Sequence, residues 1–212
     1  MRCTARLVAA ATVVLAFPLA ASAAAGVRVL SDARDPERTL FPSDRFTVLD
    51  FTQNTFLRVH LPKPDCAAQP IACEDIDVLN TLDGFNPQPR LTIPFSGAID
   101  VASVTSDTVF LVSLGSTVSD QGYMPAGTVV GINQVVWDTF TTTLHIESEA
   151  LLAQHTRFAL IVTSGVRDQG GARVGASEAF RRFPIRADLP MTFLVRRGKH
   201  VNGHVVTPIV HG

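Results

Sequence analysis

The chain has 212 residues, of which 46% are hydrophobic, and its formal net charge at pH 7 is −1. This length suits one domain with an extension or two small domains, and the apolar content is sufficient for a packed core. The near-neutral charge gives no electrostatic case for binding nucleic acid or an anionic membrane surface.

Residues 1–23 have the pattern of a cleaved secretory signal. Arg2 and Arg6 form a short basic region, an apolar stretch runs from Leu7 to Leu19, and Ala21-Ser22-Ala23 has the small-x-small form that signal peptidase accepts. The apolar stretch is short for a bilayer span, so a membrane anchor is the weaker interpretation, and no later run is long enough. We expect cleavage near Ala23, a mature net charge of −3 after loss of Arg2 and Arg6, and an extracellular or periplasmic location.

Residues 24–82 are predicted to form an N-terminal extension of short strands and loops. The alternating stretches DRFTVLDF (Asp44–Phe51) and TFLRVHL (Thr55–Leu61) each favour a strand. The second stretch ends at Pro62 and Pro64, because proline removes backbone donors and interrupts a strand ladder.

Cys66 and Cys73 remain after Cys3 leaves with the signal, and an even count in an exported chain indicates a disulfide. The closed ring of eight residues is worth only about 2.5 kcal/mol by chain entropy, so we expect it to fix a local loop. A metal pair is the alternative, but matching ligands are not nearby. Asp75 and Asp77 follow as solvated loop acids rather than paired catalytic carboxylates.

Residues 83–188 are predicted to form an all-β sandwich, because short strands recur between turn residues. In RLTIPF, Leu91, Ile93 and Phe95 share one face, and Pro94 favours an edge strand. The stretch Thr108–Leu114 is apolar on both faces, as in a central strand. Helical signals are limited to single turns after Asp100 and after Ser148. Aromatic residues expected in the core are Phe110, Trp137, Phe140, Phe158 and Phe180.

The stretch IVTSGVRDQGGARV joins two further predicted strands and contains Asp168, Gly170 and Gly171. A hairpin turn needs residues that tolerate positive φ, and an aspartate in it accepts hydrogen bonds from amides two residues on. Calcium needs six or more oxygens, and only Asp168 offers a local carboxylate. A phosphate cradle needs a helix N-terminus, which does not follow. We therefore interpret these residues as a structural turn.

Catalytic and cofactor motifs are absent from the sequence. There is no G-x-S-x-G elbow, and the related string GASEA (Gly175–Ala179) lacks the last glycine. Neither a zinc-protease motif nor a phosphate-binding loop occurs. Three histidines, His200, His204 and His211, lie in residues 189–212, which we expect to be an irregular polar tail. We predict no catalytic residue, no metal and no cofactor.

Three phrases resemble the N-terminal domain of bacterial virulence-factor-type extracellular lipases: FPSD (Phe41–Asp44), LPKPDC (Leu61–Cys66) and NTLDGFNPQPRLTIPFSG (Asn80–Gly97). The following part, from IPFSGAIDVASVTSDTVFLV onward, is similar to bacterial Ig-like domains. Those domains close with a V/I-x-D-x-x-G hairpin, which Val166, Asp168 and Gly171 match. The resemblance covers about residues 40–183.

The resemblance implies an Ig-like antiparallel β-sandwich that precedes an α/β-hydrolase domain with Ser-His-Asp machinery. That hydrolase domain is missing from this sequence, so no catalytic residue transfers to it. The implied role is a non-catalytic accessory domain of a secreted lipase, with a hydrolase domain and lipid or cell-surface material as partners. The alternative is a stand-alone surface adhesion or interaction module with the same sandwich.

Overall fold

A computed structural model describes residues 26–32, 35–118, 124–177 and 203–210. Most of the regular structure is antiparallel β-sheet, with one α-helix, α1 (Pro70–Leu79), and short 3-10 turns at Pro36–Arg38, Asp44–Phe46 and Val101–Ser103. The prediction of an all-β fold is therefore confirmed.

Two sheets form the main body. One is three-stranded and contains β3 (Leu91–Pro94), β7 (Ile132–Asp138) and β8 (Thr143–Ser148) in the order β3-β8-β7. The other is four-stranded and contains β5 (Val109–Ser116), β6 (Val129–Val130), β9 (Thr156–Thr163) and β11 (Gly203–Val210) in the order β11-β9-β5-β6. All of these pairs are antiparallel.

The core lies between the two sheets. Leu91, Ile93 and Leu144 from one sheet belong to the same buried cluster as Leu111 and Phe158 from the other. The sheet orders match strands B-E-D and C′-C-F-G of an Ig-like sandwich, with chain order preserved. The predicted central strand at Thr108–Leu114 is also confirmed, since β5 lies between two neighbours. β3 is the last strand of its sheet, as expected around Pro94, but its outer side is not free, because Leu30 and Phe41 hydrogen-bond to it.

The central strand β5 is buried on both faces, as its sequence indicates. Val109 and Leu111 point into the core between the sheets, whereas Phe110 and Val112 form a second buried cluster with Ala159 and Ile161. This second cluster lies on the outer side of the four-stranded sheet, because neighbouring residues of a strand alternate between faces.

The N-terminal residues are part of the sandwich rather than separate from it. Val29 bridges to Phe95 at the end of β3, and Phe41 bridges to Thr92 within that strand. Val29 and Leu40 are buried in the main core cluster. The division of the chain at residue 83 into an extension and a sandwich therefore does not coincide with a boundary of the core.

The rest of the extension is a hairpin followed by a helix. Strand β1 (Thr47–Leu49) pairs with β2 (Leu57–Val59), with Leu49 opposite Leu57. The expected loop around the cysteines is wrong from Pro70 onward, since α1 begins there and proline is favoured in a first helical turn. Asp75 and Asp77 accordingly lie on a helix and not in a loop.

A small two-stranded sheet of β4 (Ile99–Asp100) and β10 (Arg167–Asp168) closes one end of the sandwich. The single helical turn expected after Asp100 is present, and the Asp100 carboxylate accepts a hydrogen bond from the amide of Ala102. The turn expected after Ser148 is not helical, and the Ser148 hydroxyl, which would accept from an amide as a helix cap, instead donates to the carbonyl of Ala150.

Two further predictions need correction. The tail is not irregular throughout, since Gly203–Val210 forms β11 on the free edge of β9. Phe140 is not a core residue: it is 96% exposed in the turn between β7 and β8, beyond the region where the sheets face each other. Phe110 and Phe158 are buried, Trp137 is half-buried against the core, and Phe180 lies outside the described residues.

Candidate functional site

A group of exposed large apolar side chains lies where β1 passes into β2. We call residues 49–56 the hairpin tip. Leu49, Phe51 and Phe56 in it are 73%, 80% and 54% exposed, and the two phenyl rings have centroids 6.3 Å apart. Phe56 has a φ of 60°, a conformation that a bulky residue adopts only when its surroundings impose it. The tip therefore presents apolar side chains on a backbone with a defined shape.

Local hydrogen bonds give the tip that shape. The Asp50 amide donates to the Phe56 carbonyl at 3.0 Å, and the Gln53 amide donates to the Asp50 carbonyl at 3.1 Å. The Asp50 carboxylate also accepts from the amide and the hydroxyl of Thr52, at 3.0 and 2.6 Å. These contacts close the turn from within, in the manner of an Asx turn.

A second set of hydrogen bonds attaches the tip to the segment after α1. The Asp83 carboxylate accepts from the amides of Asn54 and Thr55, at 2.9 and 3.2 Å, and from the Thr55 hydroxyl. The Gln53 side chain donates to the carbonyl of Thr81 at 3.3 Å. Thr55 is buried, so its two hydrogen bonds with Asp83 are partly shielded from water, and together the four bonds fix the loop on the segment after the helix.

Arg58 connects β2 with both the tip and the helix end. Its Nε atom lies 3.1 Å from the Asp50 carboxylate, and one terminal nitrogen donates to the carbonyl of Asn80. The hydrogen bonds from the Thr52 hydroxyl and amide, followed by the contact with Arg58, hold the pKa of Asp50 below its ordinary value. The Asp50 carboxylate is therefore charged and paired at neutral pH.

The arrangement is suited to apolar contact and not to bond-making chemistry. Phenylalanine and leucine side chains carry no donor or acceptor, and the polar groups beneath them are engaged with each other. Further exposed apolar side chains lie on or just after α1: Ile71, Val78, Leu79 and Leu82. Leu82 lies between Thr81 and Asp83, both of which hold the tip, so it extends the apolar surface toward the helix.

Cys66 and Cys73 form a disulfide, as predicted. Cys73 lies within the first turns of α1 and is buried, so the bond ties the helix to the proline-rich segment before it. Lys63 on that segment forms an ion pair with Asp77 of the helix, at 2.6 Å. The same region holds the helix whose end supports the tip.

Asp168, Gly170 and Gly171 lie together in the turn after β10. The Asp168 carboxylate accepts from the amides of Gly170 and Ala172, both at 2.9 Å, and Gly171 has a φ of 81°. The turn also contains the hydrogen bond from the Gly171 amide to the Asp168 carbonyl. Both amides donate to the same oxygen, Oδ1, so the Asp168 side chain closes this turn in the manner of an Asx turn.

The described residues bring one hydroxyl and one imidazole close together on the outer face of the three-stranded sheet. Thr92 Oγ1 lies 3.4 Å from His145 Nδ1, across the β3–β8 pair. Asp138 lies near His145, but its oxygens accept from Phe140 and Thr141 in the following turn. A hydroxyl nucleophile needs a base that a third group orients. Asp138 does not orient His145 in this way, because its oxygens accept hydrogen bonds from its own turn.

Other residues considered from the sequence are dispersed. Ser177 is buried just after the bridge at Gly175, while Glu178 and Ala179 lie outside the described residues. His200 and His211 are also outside, and His204 lies in β11. Within the described ranges, no group of three or more histidine, cysteine, aspartate or glutamate side chains is placed to hold a metal ion. Nor does any helix there have the length and apolar character to cross a membrane.

Sequence reasoning missed the hairpin tip. It assigned Phe51 and Phe56 to the two strands, whereas β1 ends at Leu49 and β2 begins at Leu57. The signal was present in Thr52-Gln53-Asn54-Thr55, a polar run of turn-forming residues with a phenylalanine on each side. Such a run indicates that the flanking aromatic residues lie at the ends of a turn and not within paired strands.

Comparison with known proteins gives only a distant structural likeness. No protein-family model matches the sequence, and no curated protein matches it. Among solved structures, the N-terminal part of the bacterial S-layer protein SbsC matches with a TM-score of 0.32 and 13% identity, over 52% of this chain and 26% of that chain. The S-layer protein rSbsC(31-844) matches with a TM-score of 0.33 and the same identity, over 52% of this chain and 15% of that one. The chain therefore spans about a quarter or less of these structures.

Proposed function

We propose that the chain is a non-catalytic interaction module of an exported protein and that the hairpin tip is its binding surface. The observation that carries this proposal is the exposure of Leu49, Phe51 and Phe56 on a loop that Asp50 and Asp83 hold in place. Scattered exposed apolar residues are common, but adjacent ones on a fixed turn are typical of binding surfaces. Their fixed position also lowers the entropy lost on binding.

Export is supported by two independent features. The N-terminal 23 residues have the basic, apolar and small-x-small regions of a secretory signal. The disulfide between Cys66 and Cys73 is a bond that persists in oxidising compartments. A secreted or surface location follows from this proposal, with cleavage near Ala23.

A narrower proposal is that the module is the N-terminal accessory domain of an extracellular lipase. The phrase Asn80–Gly97, which resembles that family, contains Asn80, Thr81 and Asp83, the residues that hold Arg58 and the tip. The residues that resemble the lipase family therefore include those that hold the proposed binding surface in place. A stand-alone adhesion module is the second candidate, and a hydrolase reading frame directly downstream would separate the two.

The proposal is tested first on the exported chain alone. We expect no hydrolysis of short or long acyl esters above background, because serine catalysis needs a positioned nucleophile, base and oxyanion hole. Turnover that a serine-directed inhibitor and the replacement of one serine both abolish would overturn the non-catalytic assignment.

The second test fuses the chain upstream of the hydrolase domain of an extracellular bacterial lipase. The fusion should raise secretion yield, thermal stability or adsorption to an insoluble ester, while the turnover of a dissolved ester stays unchanged. A fusion carrying Phe51→Ser and Phe56→Asn should lose part of that gain, whereas Phe140→Ser on the β7–β8 hairpin should keep it. If the tip variant performs as well as the unmodified fusion in all three measurements, the tip is not a binding surface.

A further inference from the structure

We infer that the hairpin tip inserts into a lipid–water interface. The inference rests on the proposed function and names the partner of the same surface. Phe51 and Leu49 are 80% and 73% exposed at the end of a two-stranded hairpin. Side chains that project at the end of a turn reach into a soft apolar phase, whereas a pre-formed ligand site is concave.

Six of the seven backbone amides from Asp50 to Phe56 donate hydrogen bonds within the protein, and the amide of Phe51 is the one without an acceptor among the described residues. The amides of Asp50, Gln53 and Phe56 donate to carbonyls of the tip itself, and those of Thr52, Asn54 and Thr55 donate to Asp50 and Asp83. A segment that leaves water for lipid needs internal partners for its peptide groups. A protein partner that adds a strand needs free backbone donors instead. The hydrogen bonding of the tip therefore favours lipid over strand addition.

The side-chain chemistry points the same way. Phe51, Phe56 and Leu49 are purely apolar, and the Asp50 charge beneath them is paired with Arg58 at 3.1 Å. Amphipathic segments bind membranes through buried apolar area and through attraction of basic residues to anionic lipids. Arg58 is paired with Asp50, and the remaining charged group at the base of the tip, Asp83, is acidic. Attraction to anionic lipid therefore has no basic residue to act through, and apolar area is the driving term. We expect binding to electrically neutral lipid, with little loss on addition of salt.

The test uses the full exported chain and phosphatidylcholine vesicles in a sedimentation assay. Phe51→Ser should lower partitioning about ten-fold, and Phe51→Ser with Phe56→Asn about a hundred-fold, since each phenyl ring contributes transfer free energy. Asparagine tolerates the positive φ of Phe56, so this variant keeps the shape of the turn. Phe51→Leu retains apolar area and should bind within about three-fold of the unmodified chain.

Phe140→Ser is the matched control, because Phe140 is 96% exposed on a different hairpin. It should leave partitioning unchanged. Equal losses for Phe51→Ser and Phe140→Ser would show that any exposed phenylalanine suffices, and this result would overturn the inference. Binding that requires phosphatidylserine and disappears in high salt would overturn it as well, because the driving term would then be electrostatic.

A fluorescent reporter gives an independent readout. Trp137 is the single tryptophan, and its Nε1 has no hydrogen-bond partner among the described residues, so Trp137→Phe removes it without breaking a hydrogen bond there. In that background, Phe51→Trp should show blue-shifted emission on vesicles and quenching by brominated lipid, while Phe140→Trp should show neither. Identical spectra with and without vesicles at both positions would refute insertion.

The outcomes separate this inference from the proposed function. If vesicles are not bound but the tip variants still impair the hydrolase fusion, the lipid inference fails and the interaction module stands with a protein partner. If replacing Phe51 and Phe56 changes neither vesicle binding nor the secretion, stability and adsorption of the fusion, both proposals fail.

Discussion

Several turns of this molecule contain an aspartate whose carboxylate accepts a hydrogen bond from a backbone amide. Asp50, Asp138 and Asp168 each accept from an amide two residues further along the chain. The position of such a residue before a turn is readable from sequence, and Asp168 was expected there.

The Asp138 turn should be sensitive to acid. The Thr141 hydroxyl, then the amides of Phe140 and Thr141, hold the pKa of Asp138 below its ordinary value of 3.8. A carboxyl whose pKa is lower in the folded state contributes stability that is present above the unfolded pKa and is lost as the pH falls through the folded pKa. We therefore expect the turn to be intact at neutral pH and to loosen only below pH 3.8.

Carboxyl-carbon NMR titration measures this effect. Thr141→Val removes the hydroxyl and should raise the pKa of Asp138 toward 3.8, while leaving Asp50 unaffected. Thr52→Val should raise the pKa of Asp50 and leave that of Asp138 unaffected, since the Thr52 hydroxyl is the largest cause of the lowered Asp50 pKa. An unchanged Asp138 titration in Thr141→Val would contradict the assignment of the hydroxyl as the main cause.

Asp168→Ala should destabilise the protein by about 1 kcal/mol in urea unfolding. The Gly170 and Ala172 amides lose the carboxylate as acceptor and form hydrogen bonds with water instead. Asp168→Asn keeps an acceptor oxygen and should recover most of that loss. Isothermal titration calorimetry with calcium should give no signal for any of the three proteins. Calcium binding that disappears in Asp168→Ala would replace the turn interpretation with a cation site.

At the scale of elements, α1 and the β1–β2 hairpin act as one unit. Periodicity did not reveal the helix, because only Cys73 among its residues is fully buried, while Ile71 and Val78 face water. A helix without a continuous buried face lacks the apolar repeat that sequence reasoning depends on. The disulfide and Asn80, whose side chain accepts from the Leu61 amide at 2.6 Å, position it instead.

Asp83→Ala should release the hairpin tip from the end of α1. Loss of the acceptor for Asn54 and Thr55 should cost about 1–3 kcal/mol locally, because the Thr55 hydroxyl is buried with it. Hydrogen exchange of amides 52–56 should accelerate, while exchange in β5 and β9 should stay the same. Asp107→Ala, at an exposed carboxylate on the sandwich, is the control. Faster exchange throughout the sandwich would show that Asp83 stabilises more than the tip.

At the scale of the whole molecule, the alternation of apolar and polar residues along each strand was the signal that predicted which faces are buried. Leu91, Ile93 and Phe95 were predicted to share one buried face, and β5 was predicted to be a central strand. Both predictions were possible because burial on one face gives an alternating sequence and burial on both faces gives a continuous apolar run. Strand order, in contrast, depends on which strands meet after the chain has folded. The pairing of β11 with β9 across a gap of about forty residues therefore had no local signal, and neither did the bridges that Val29 makes.

Reduction of the Cys66–Cys73 disulfide should leave the sandwich folded. The bond closes a short ring at the start of α1, and its estimated contribution is about 2.5 kcal/mol. Mild reductant should therefore increase exchange in residues 66–79, with the near-UV signal of Trp137 unchanged. Loss of the β-sheet circular dichroism signal under the same conditions would mean that the bond supports the entire fold.

The bridges near Val29 have a consequence for the order in which the chain folds. Val29 pairs with Phe95, and its amide donates to the carbonyl of Gly175 at 3.0 Å, so one of the first segments of the sandwich is completed by one of the last. A chain made from its N-terminus cannot close this junction until about 175 residues have been synthesised. Contacts of such long sequence separation slow folding, because the entropy of closing the loop is lost before the contact is gained. The nascent chain is thereby kept from completing this end of the sandwich until nearly all of its strands have been made.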